Sequence, residues 1–185
     1  MPNSIVKLNP ENLAPLEIVK HVIPVEVPYV DFKGEQKTGT IEVHEDVADD
    51  VHQFFVLAFV QRFPIDKVVK SSNTAYLWDD KRLTEDNATS GFNYRVIKDT
   101  DKLSLHSQGL ALDVNTRLNP FVRYNHDGTV SVDPEGAVYN PTLPGTLTAD
   151  HPLVIFMKER GWEWGGDWDK ASGRTDYQHF QKSLI

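Results

Sequence analysis

The period of the hydrophobic positions changes several times along the chain, and each change predicts an element. Apolar and polar residues alternate in VEVPYVDF (25–32) and TIEVH (40–44), and the polar segment GEQKTG joins the two stretches. This pattern is typical of half-buried strands, so we expect a hairpin. Residues 1 to about 17 contain three prolines and no period. We expect them to form an arm on the surface.

Two segments have the period of amphipathic helices. From Glu45, apolar residues recur at helical spacing, acidic residues crowd the first turn, and Pro64 closes the segment. A second helix is expected to begin near Asp150, with Pro152 in its first turn and Gly161 after its end. Its buried face is predicted to consist of Leu153, Phe156 and Met157.

The segment 116–149 is rich in prolines and turn signals, including Asp127-Gly128, and contains a strand-like piece from Thr129 to Val132. We expect an elaborated loop or a small hairpin there. Strands and helices follow one another without βαβ regularity, which favours an α+β fold. The sequence therefore predicts a single domain with a central antiparallel sheet flanked by helices.

Composition narrows the function classes. A chain of 185 residues with 39% hydrophobic content can bury one core. The net charge of -8 disfavours nucleic acid and anionic membranes as partners. The longest apolar run, Phe54 to Val60, has seven residues, far below the roughly twenty that span a bilayer. Cysteine is absent, so any metal must be held by histidine and carboxylate.

The stretch SLHSQGLALDVN (104–115) places a histidine and a carboxylate seven positions apart. In a strand, Gly109, Ala111 and Asp113 share one face, and the small residues leave clearance above the carboxylate. Such a face suits a metal pocket, with His106 in the preceding turn reaching the same point. Taken singly, His106 is more simply a turn histidine and Asp113 a strand-end cap. The combination favours a functional site.

Two further motifs follow near the end of the chain, WGGDW (164–168) and DYQHF (176–180). Together with SLHSQGLALD (104–113), they resemble the signature of the zinc D-alanyl-D-alanine carboxypeptidase and L-alanyl-D-glutamate endopeptidase family, which cleaves peptidoglycan peptides. NATSGFNYR (87–95) is similar to the family's segment that brings an arginine into the site. The resemblance implies a DD-peptidase/hedgehog-like fold, with a zinc peptidase region at 40–185. Residues 1–39 would then form an N-terminal arm and the first strands.

The resemblance implies that His106, Asp113 and His179 hold Zn²⁺. It further implies that Asp176 is the catalytic acid/base and that Arg95 is the oxyanion partner. The residue types support the same chemistry, because two imidazoles and one carboxylate leave the fourth position of Zn²⁺ open for a water, whose pKa the metal lowers. Asp176, three residues before His179, can lie beside that water without being a ligand.

Several roles stay open at this point. Arg95 can neutralise an oxyanion or grip a substrate carboxylate, and the simplest alternative is a surface salt bridge. Ser104 is a candidate for substrate binding, although a cap on the turn is slightly favoured. Trp164 and Trp168 flank a Gly-Gly turn, and either can form a wall of the groove or belong to the core. The other histidines are read as structural or solvent-facing: His21, His44, His52, His126 and His151.

The leading hypothesis is a zinc metallopeptidase that hydrolyses an amide bond next to a D-amino acid in peptidoglycan stem peptides or muropeptides. The WGGDW form of the motif and Asp176 as the acid favour the endopeptidase over the carboxypeptidase branch, and the segment 116–149 is expected to block or open the groove. One rival is a nonhaem iron oxygenase, which also uses two histidines and a carboxylate. The other is a non-catalytic peptidoglycan-binding module that retains the zinc site.

The expected substrate sets an expected location, the bacterial cell envelope or the extracellular space. The first residues show no basic region followed by an apolar stretch, so an export signal is not visible. A removed signal, a phage lysis enzyme and a cytoplasmic recycling enzyme all fit the sequence.

Overall fold

A computed structural model describes residues 14–97, 100–168 and 172–184, so most of the predicted N-terminal arm lies outside the described residues. The helices are α1 (Leu16–Val19), α2 (Ala48–Val60), α3 (Asp80–Glu85) and α4 (Pro152–Glu159). The strands are β1 (Val22–Val30), β2 (Gln36–His44), β3 (Lys67–Val68), β4 (Ala88–Thr89), β5 (Ala111–Asp113), β6 (Phe121–Tyr124), β7 (Val130–Asp133), β8 (Glu163–Trp164), β9 (Arg174–Asp176) and β10 (His179–Gln181). Single 3-10 turns occupy Glu45–Val47, Leu105–Gln108 and Gly165–Asp167.

The predicted hairpin is confirmed in β1 and β2, which pair antiparallel over their whole lengths. The second strand begins at Gln36, four residues before the predicted start, so part of the polar connection belongs to the ladder. The tight turn between the two strands explains why β2 begins earlier than predicted. Asp31 Oδ1 accepts the backbone N–H groups of Lys33 and Glu35, each at 2.9 Å, which closes the connection within five residues.

Helix α2 packs on β1 and confirms the first predicted helix. It follows the 3-10 turn at Glu45–Val47 and ends at Val60, before Pro64. Asp49 and Asp50 lie in its first turn, where negative charge complements the helix dipole. Its buried residues join the hairpin and the later strands in one core: Val51, Phe54, Phe55 and Ala58 from the helix, Val27, Ile41 and Val43 from the hairpin, and Leu112 and Phe180 from β5 and β10.

Helix α4 confirms the second predicted helix, with one change at its start. The helix begins at Pro152, two residues after Asp150, and its N-cap is His151, whose Nδ1 accepts the N–H of Leu153 at 3.2 Å. The buried face includes Val154 in place of Phe156. Phe156 is only partly buried, and the Arg160 guanidinium lies 3.7 Å from the centre of its ring.

The strands form several small sheets instead of one central sheet. β5, β10 and β8 make one antiparallel sheet, β7, β6 and β9 make another, and β3 pairs parallel with β4. Each of these strands has only two to four residues, so none extends far enough to build a single large sheet. The α+β class is confirmed. No helix within the described ranges has the length and apolar content needed to cross a bilayer.

The segment 116–149 contains the predicted hairpin, formed by β6 and β7 around the Asp127-Gly128 turn. Asp127 Oδ1 accepts the N–H of Thr129 at 2.9 Å. On its other edge β6 pairs with β9, which sets Asp176 opposite Phe121. The hairpin therefore holds in place the strand that carries Asp176.

Candidate metal centre

Three buried side chains converge where β5 meets β10. Asp113 lies directly opposite His179 across the two strands, and His106 reaches them from the turn before β5. Asp113 Oδ1 is 2.9 Å from His179 Nδ1, and Asp113 Oδ2 is 3.1 Å from His106 Nε2. The two ring nitrogens, His106 Nε2 and His179 Nδ1, are 3.2 Å apart. The structure thus brings together the three residues predicted to bind the metal.

The turn before β5 explains the spacing of the first motif. Ser104 is its N-cap, and Ser104 Oγ accepts the N–H of His106 at 3.3 Å, which is the capping role favoured from the sequence. Gly109 ends the turn at φ 71°, in the left-handed region. A Cβ at Gly109 would lie 2.5 Å from the backbone nitrogen of His44. A side chain at this position would therefore displace either β2 or the turn that presents His106.

Hydrogen bonds fix the proton on each imidazole. His106 Nδ1 lies 2.6 Å from the carbonyl oxygen of Gly91, which can only accept, so His106 donates there and its Nε2 keeps a lone pair. His179 Nε2 lies 3.0 Å from Gln181 Oε1. The Gln181 amide donates its Nε2 to Glu163 Oε2 at 2.8 Å, which orients its oxygen towards His179. A neutral His179 that donates from Nε2 keeps its lone pair on Nδ1, which lies 2.9 Å from Asp113 Oδ1.

This arrangement fits a cation. Two imidazole lone pairs and a carboxylate face one point, and the lone pairs of neutral His106 and His179 would repel each other at 3.2 Å. Tetrahedral Zn²⁺ with bonds of about 2.0–2.2 Å separates neighbouring ligand atoms by about 3.3 Å. The two ring nitrogens are 3.2 Å apart, close to that value, and each lies 2.9 to 3.1 Å from one of the two oxygens of Asp113. The donor set thus suits zinc and leaves a fourth position open.

The charges at the centre are interdependent. Burial opposes ionisation of Asp113, but His106 and His179 outweigh it and hold the pKa of this carboxyl well below its usual value. Burial likewise opposes an imidazolium at His179, but the hydrogen bond and charge of Asp113 raise the pKa of His179 above its usual value. A proton on His179 therefore competes with a metal ion for the same lone pair.

Asp176 lies beside the centre without belonging to the group of three. Burial raises the pKa of Asp176 to about 6, the charge of His179 opposes the rise, and the charge of Asp113 adds to it. Its buried Oδ1 has no hydrogen-bond partner among the residues that the structure describes. The backbone of Gly165 packs against it, since a Cβ there would lie 2.5 Å from the Asp176 carbonyl oxygen. The first glycine of WGGDW thus permits this close approach.

The main chain of Arg95 stabilises the 3-10 turn Leu105–Gln108, which carries His106. Its carbonyl accepts from Ser104 N at 3.0 Å and from Ser107 Oγ at 2.6 Å. Its guanidinium pairs with Asp80, at the start of α3, with 2.9 Å between Nε and Oδ1. The ion pair is the alternative that the sequence left open. The role of Arg95 as oxyanion partner stays a prediction, as does a role of Ser104 in substrate binding.

Sequence reasoning missed the groups that surround the ligands. Gln181 was detectable, because it lies two residues after His179 on the same face of a strand. The Gly91 carbonyl was not, since a backbone atom leaves no side-chain signal. Asn93, whose N–H donates to the carbonyl of His106 at 3.0 Å, is also new. Its side chain is buried, and neither of its amide atoms has a partner in the described part of the chain.

A groove of about 460 Å³ borders the centre beyond β10. The centre of the Trp168 ring system lies 5.6 Å from that of the His179 imidazole, and the Arg174 guanidinium lies 4.9 Å from the centre of a Trp168 ring. Trp164 is buried and donates its Nε1 to the Tyr177 carbonyl at 2.9 Å. Of the two tryptophans, Trp168 therefore lines the groove, whereas Trp164 belongs to the core. The groove residues are Glu163, Asp167, Trp168, Ser172, Arg174 and Gln181.

A buried group of two histidines and a carboxylate, beside a second carboxyl of raised pKa, defines the class of candidate metallohydrolases. Comparison with known families agrees: the model of the D-alanyl-D-alanine carboxypeptidase family matches residues 98–182. The matched segment includes the three clustered residues and Asp176, and it supports the family resemblance of the motifs and a peptidase. No curated protein and no solved structure gives a significant match to the chain.

Proposed function

We propose that the protein is a zinc-dependent peptidase that hydrolyses an amide bond next to a D-amino acid in peptidoglycan stem peptides or muropeptides. One observation carries the proposal. His106, Asp113 and His179 each offer one donor atom, these atoms lie within 4.8 Å of one another, and all three residues belong to the segment that matches a peptidase family. The proposal includes the DD-peptidase/hedgehog-like fold expected for that family.

The proposed ligand atoms are His106 Nε2, His179 Nδ1 and the Asp113 carboxylate. When bound, Zn²⁺ supplies a Lewis acid that lowers the pKa of a coordinated water to about 7. The polypeptide contributes the orientation of the donors. Gly91 and Gln181 each hold the outward N–H of one imidazole, so both rings present a lone pair inward.

Asp176 is the proposed acid/base. Its raised pKa makes proton uptake and release both accessible near neutral pH, and its buried Oδ1 is free to accept a proton from the attacking water. The same carboxyl then delivers that proton to the departing amine. The carboxyl lies outside the three-residue group, as a base that must not be coordinated requires.

The groove beside Trp168 is the proposed path of the substrate. It adjoins the centre through Trp168 and Gln181, and an aromatic wall with a nearby guanidinium suits a peptide that carries carboxylates. We propose the endopeptidase reaction between L-alanine and D-glutamate over the removal of a terminal D-alanine. Envelope or extracellular peptidoglycan, or muropeptides taken into the cell, would supply this substrate.

The test is digestion of intact peptidoglycan and of a defined stem pentapeptide by the zinc-loaded protein, with the products identified by mass spectrometry. A cut between L-alanine and D-glutamate supports the endopeptidase, and loss of one terminal D-alanine supports the carboxypeptidase. If the protein holds zinc and binds peptidoglycan but cleaves neither substrate, a non-catalytic binding module replaces the proposal.

A further inference from the structure

One face of the β5–β10–β8 sheet carries a chain of four polar side chains, each in contact with the next. His179 and Gln181 are two residues apart on the central strand β10, so their side chains share a face. Asp113 lies opposite His179 on one neighbouring strand, and Glu163 lies opposite Gln181 on the other. Asp113 lies 2.9 Å from His179, His179 lies 3.0 Å from Gln181, and Gln181 lies 2.8 Å from Glu163.

The chemistry of these groups gives the chain one direction. The Glu163 carboxylate can only accept, so it takes the N–H of the Gln181 amide. The amide oxygen is then left to face His179 Nε2, and it can only accept as well. The Gln181 acceptor therefore favours a proton on His179 Nε2, which leaves the lone pair on Nδ1 facing Asp113 and His106, whereas the Asp113 carboxylate favours a proton on Nδ1.

The opposite tautomer would be unproductive. A proton on Nδ1 would point into the donor group and turn the nitrogen that faces Asp113 into a hydrogen-bond donor. Free histidine exchanges between its two neutral forms, so the environment decides which form is populated. In the described residues around His179, Gln181 is the group recorded at Nε2.

We propose that Gln181, oriented by Glu163, is a positioning residue that fixes His179 in the tautomer offering Nδ1 to the metal. The inference rests on the proposed metal site. Outer partners of metal-binding histidines typically contribute 10-fold to 100-fold in metal affinity, which sets the size of the expected effect at about 10-fold to 100-fold.

The test compares zinc affinity, measured by competition with a chromophoric chelator, in the wild type and three variants. Gln181→Leu removes the acceptor, and zinc affinity should fall about 10-fold to 100-fold. The exchange of both partners, Glu163→Gln with Gln181→Glu, keeps an acceptor towards His179 and a donor–acceptor pair between the strands. Its affinity should return to within a few-fold of the wild type. Gln36→Leu makes the same change at an exposed position, the first residue of β2, and should have no effect.

A second measurement separates the failure of this inference from the failure of the proposed function. Imidazole ¹⁵N chemical shifts of the metal-free protein at alkaline pH report which nitrogen of His179 carries the proton. We expect a larger share of the Nε2–H tautomer in the wild type than in Gln181→Leu, where the Asp113 carboxylate at Nδ1 is left without a competing acceptor at Nε2. If Gln181→Leu keeps wild-type zinc affinity and the wild-type ratio of tautomers, the inference is overturned. If the wild type takes up no zinc, the proposed function fails by itself, and the chemical shifts still decide the role of Gln181.

Discussion

Replacement of Asp176 by asparagine should stabilise the metal-free protein while it abolishes turnover. Asparagine has nearly the same shape but cannot ionise. Burial raises the pKa of Asp176 from the ordinary 3.8 to about 6. At about 1.4 kcal/mol per pKa unit, ionisation of this carboxyl in the folded protein costs at most about 3 kcal/mol.

The pH dependence of this gain in stability follows from the direction of the pKa shift of Asp176. A carboxyl whose pKa is raised by folding is stabilising in its protonated form, and that contribution is lost as the pH rises through the folded-state pKa. At pH values below the ordinary 3.8, both states are protonated and the wild type carries no penalty. Well above about pH 6, the full penalty applies. Asp176→Asn should therefore gain up to about 3 kcal/mol at mildly alkaline pH and little in acid.

The assay is guanidinium unfolding of chelator-treated wild type and variant across this pH range. Asp127→Asn is a matched control of opposite sign, because hydrogen bonds from Thr129 lower the pKa of the exposed Asp127. That variant should lose stability as the pH rises. A difference between Asp176→Asn and the wild type that does not change with pH, or a loss of stability at alkaline pH, would refute the assignment of a carboxyl whose ionisation is opposed by burial.

Three further predictions concern the motifs and the metal. Gly109→Ala should cost at least about 1–2 kcal/mol, because φ is 71° and the new Cβ would meet the His44 backbone; wild-type melting would contradict this. Gly165→Ala should lower kcat while zinc content stays unchanged, since its Cβ would press on the Asp176 backbone; loss of zinc would contradict it. Zinc affinity should fall with falling pH as His179, whose pKa is raised, takes up a proton; an affinity independent of pH would count against His179 as a ligand.

The sequence predicted the elements with strong periods and the residues with rare spacing. Helix α2 and the first hairpin follow from hydrophobic periodicity, which burial in the core enforces. The clustering of His106, Asp113 and His179 could be predicted because these residues belong to motifs that together resemble one family signature. The start of β2 was not predicted. Hydrogen bonds to the Asp31 side chain close the turn within five residues, so β2 begins among polar residues that show no strand period.

The features that could not be predicted depend on contacts between residues that are far apart in the sequence. The sequence does not reveal that β9 adds to the edge of the hairpin in the segment 116–149, because three-residue strands have no measurable period. The ion pair of Arg95 with Asp80 depends on where α3 begins in space. The hydrogen bonds that orient the imidazoles come from a backbone carbonyl at Gly91 and a side chain at Gln181, and only the second leaves a trace in the sequence.

The most direct test of the central claim measures zinc content and cleavage in one set of preparations: wild type, Asp176→Asn and His179→Ala. The account predicts zinc and turnover in the wild type, zinc without turnover in Asp176→Asn, and loss of both in His179→Ala. Loss of zinc from Asp176→Asn would make Asp176 a ligand instead of the base. Full zinc occupancy in His179→Ala would contradict the metal centre itself.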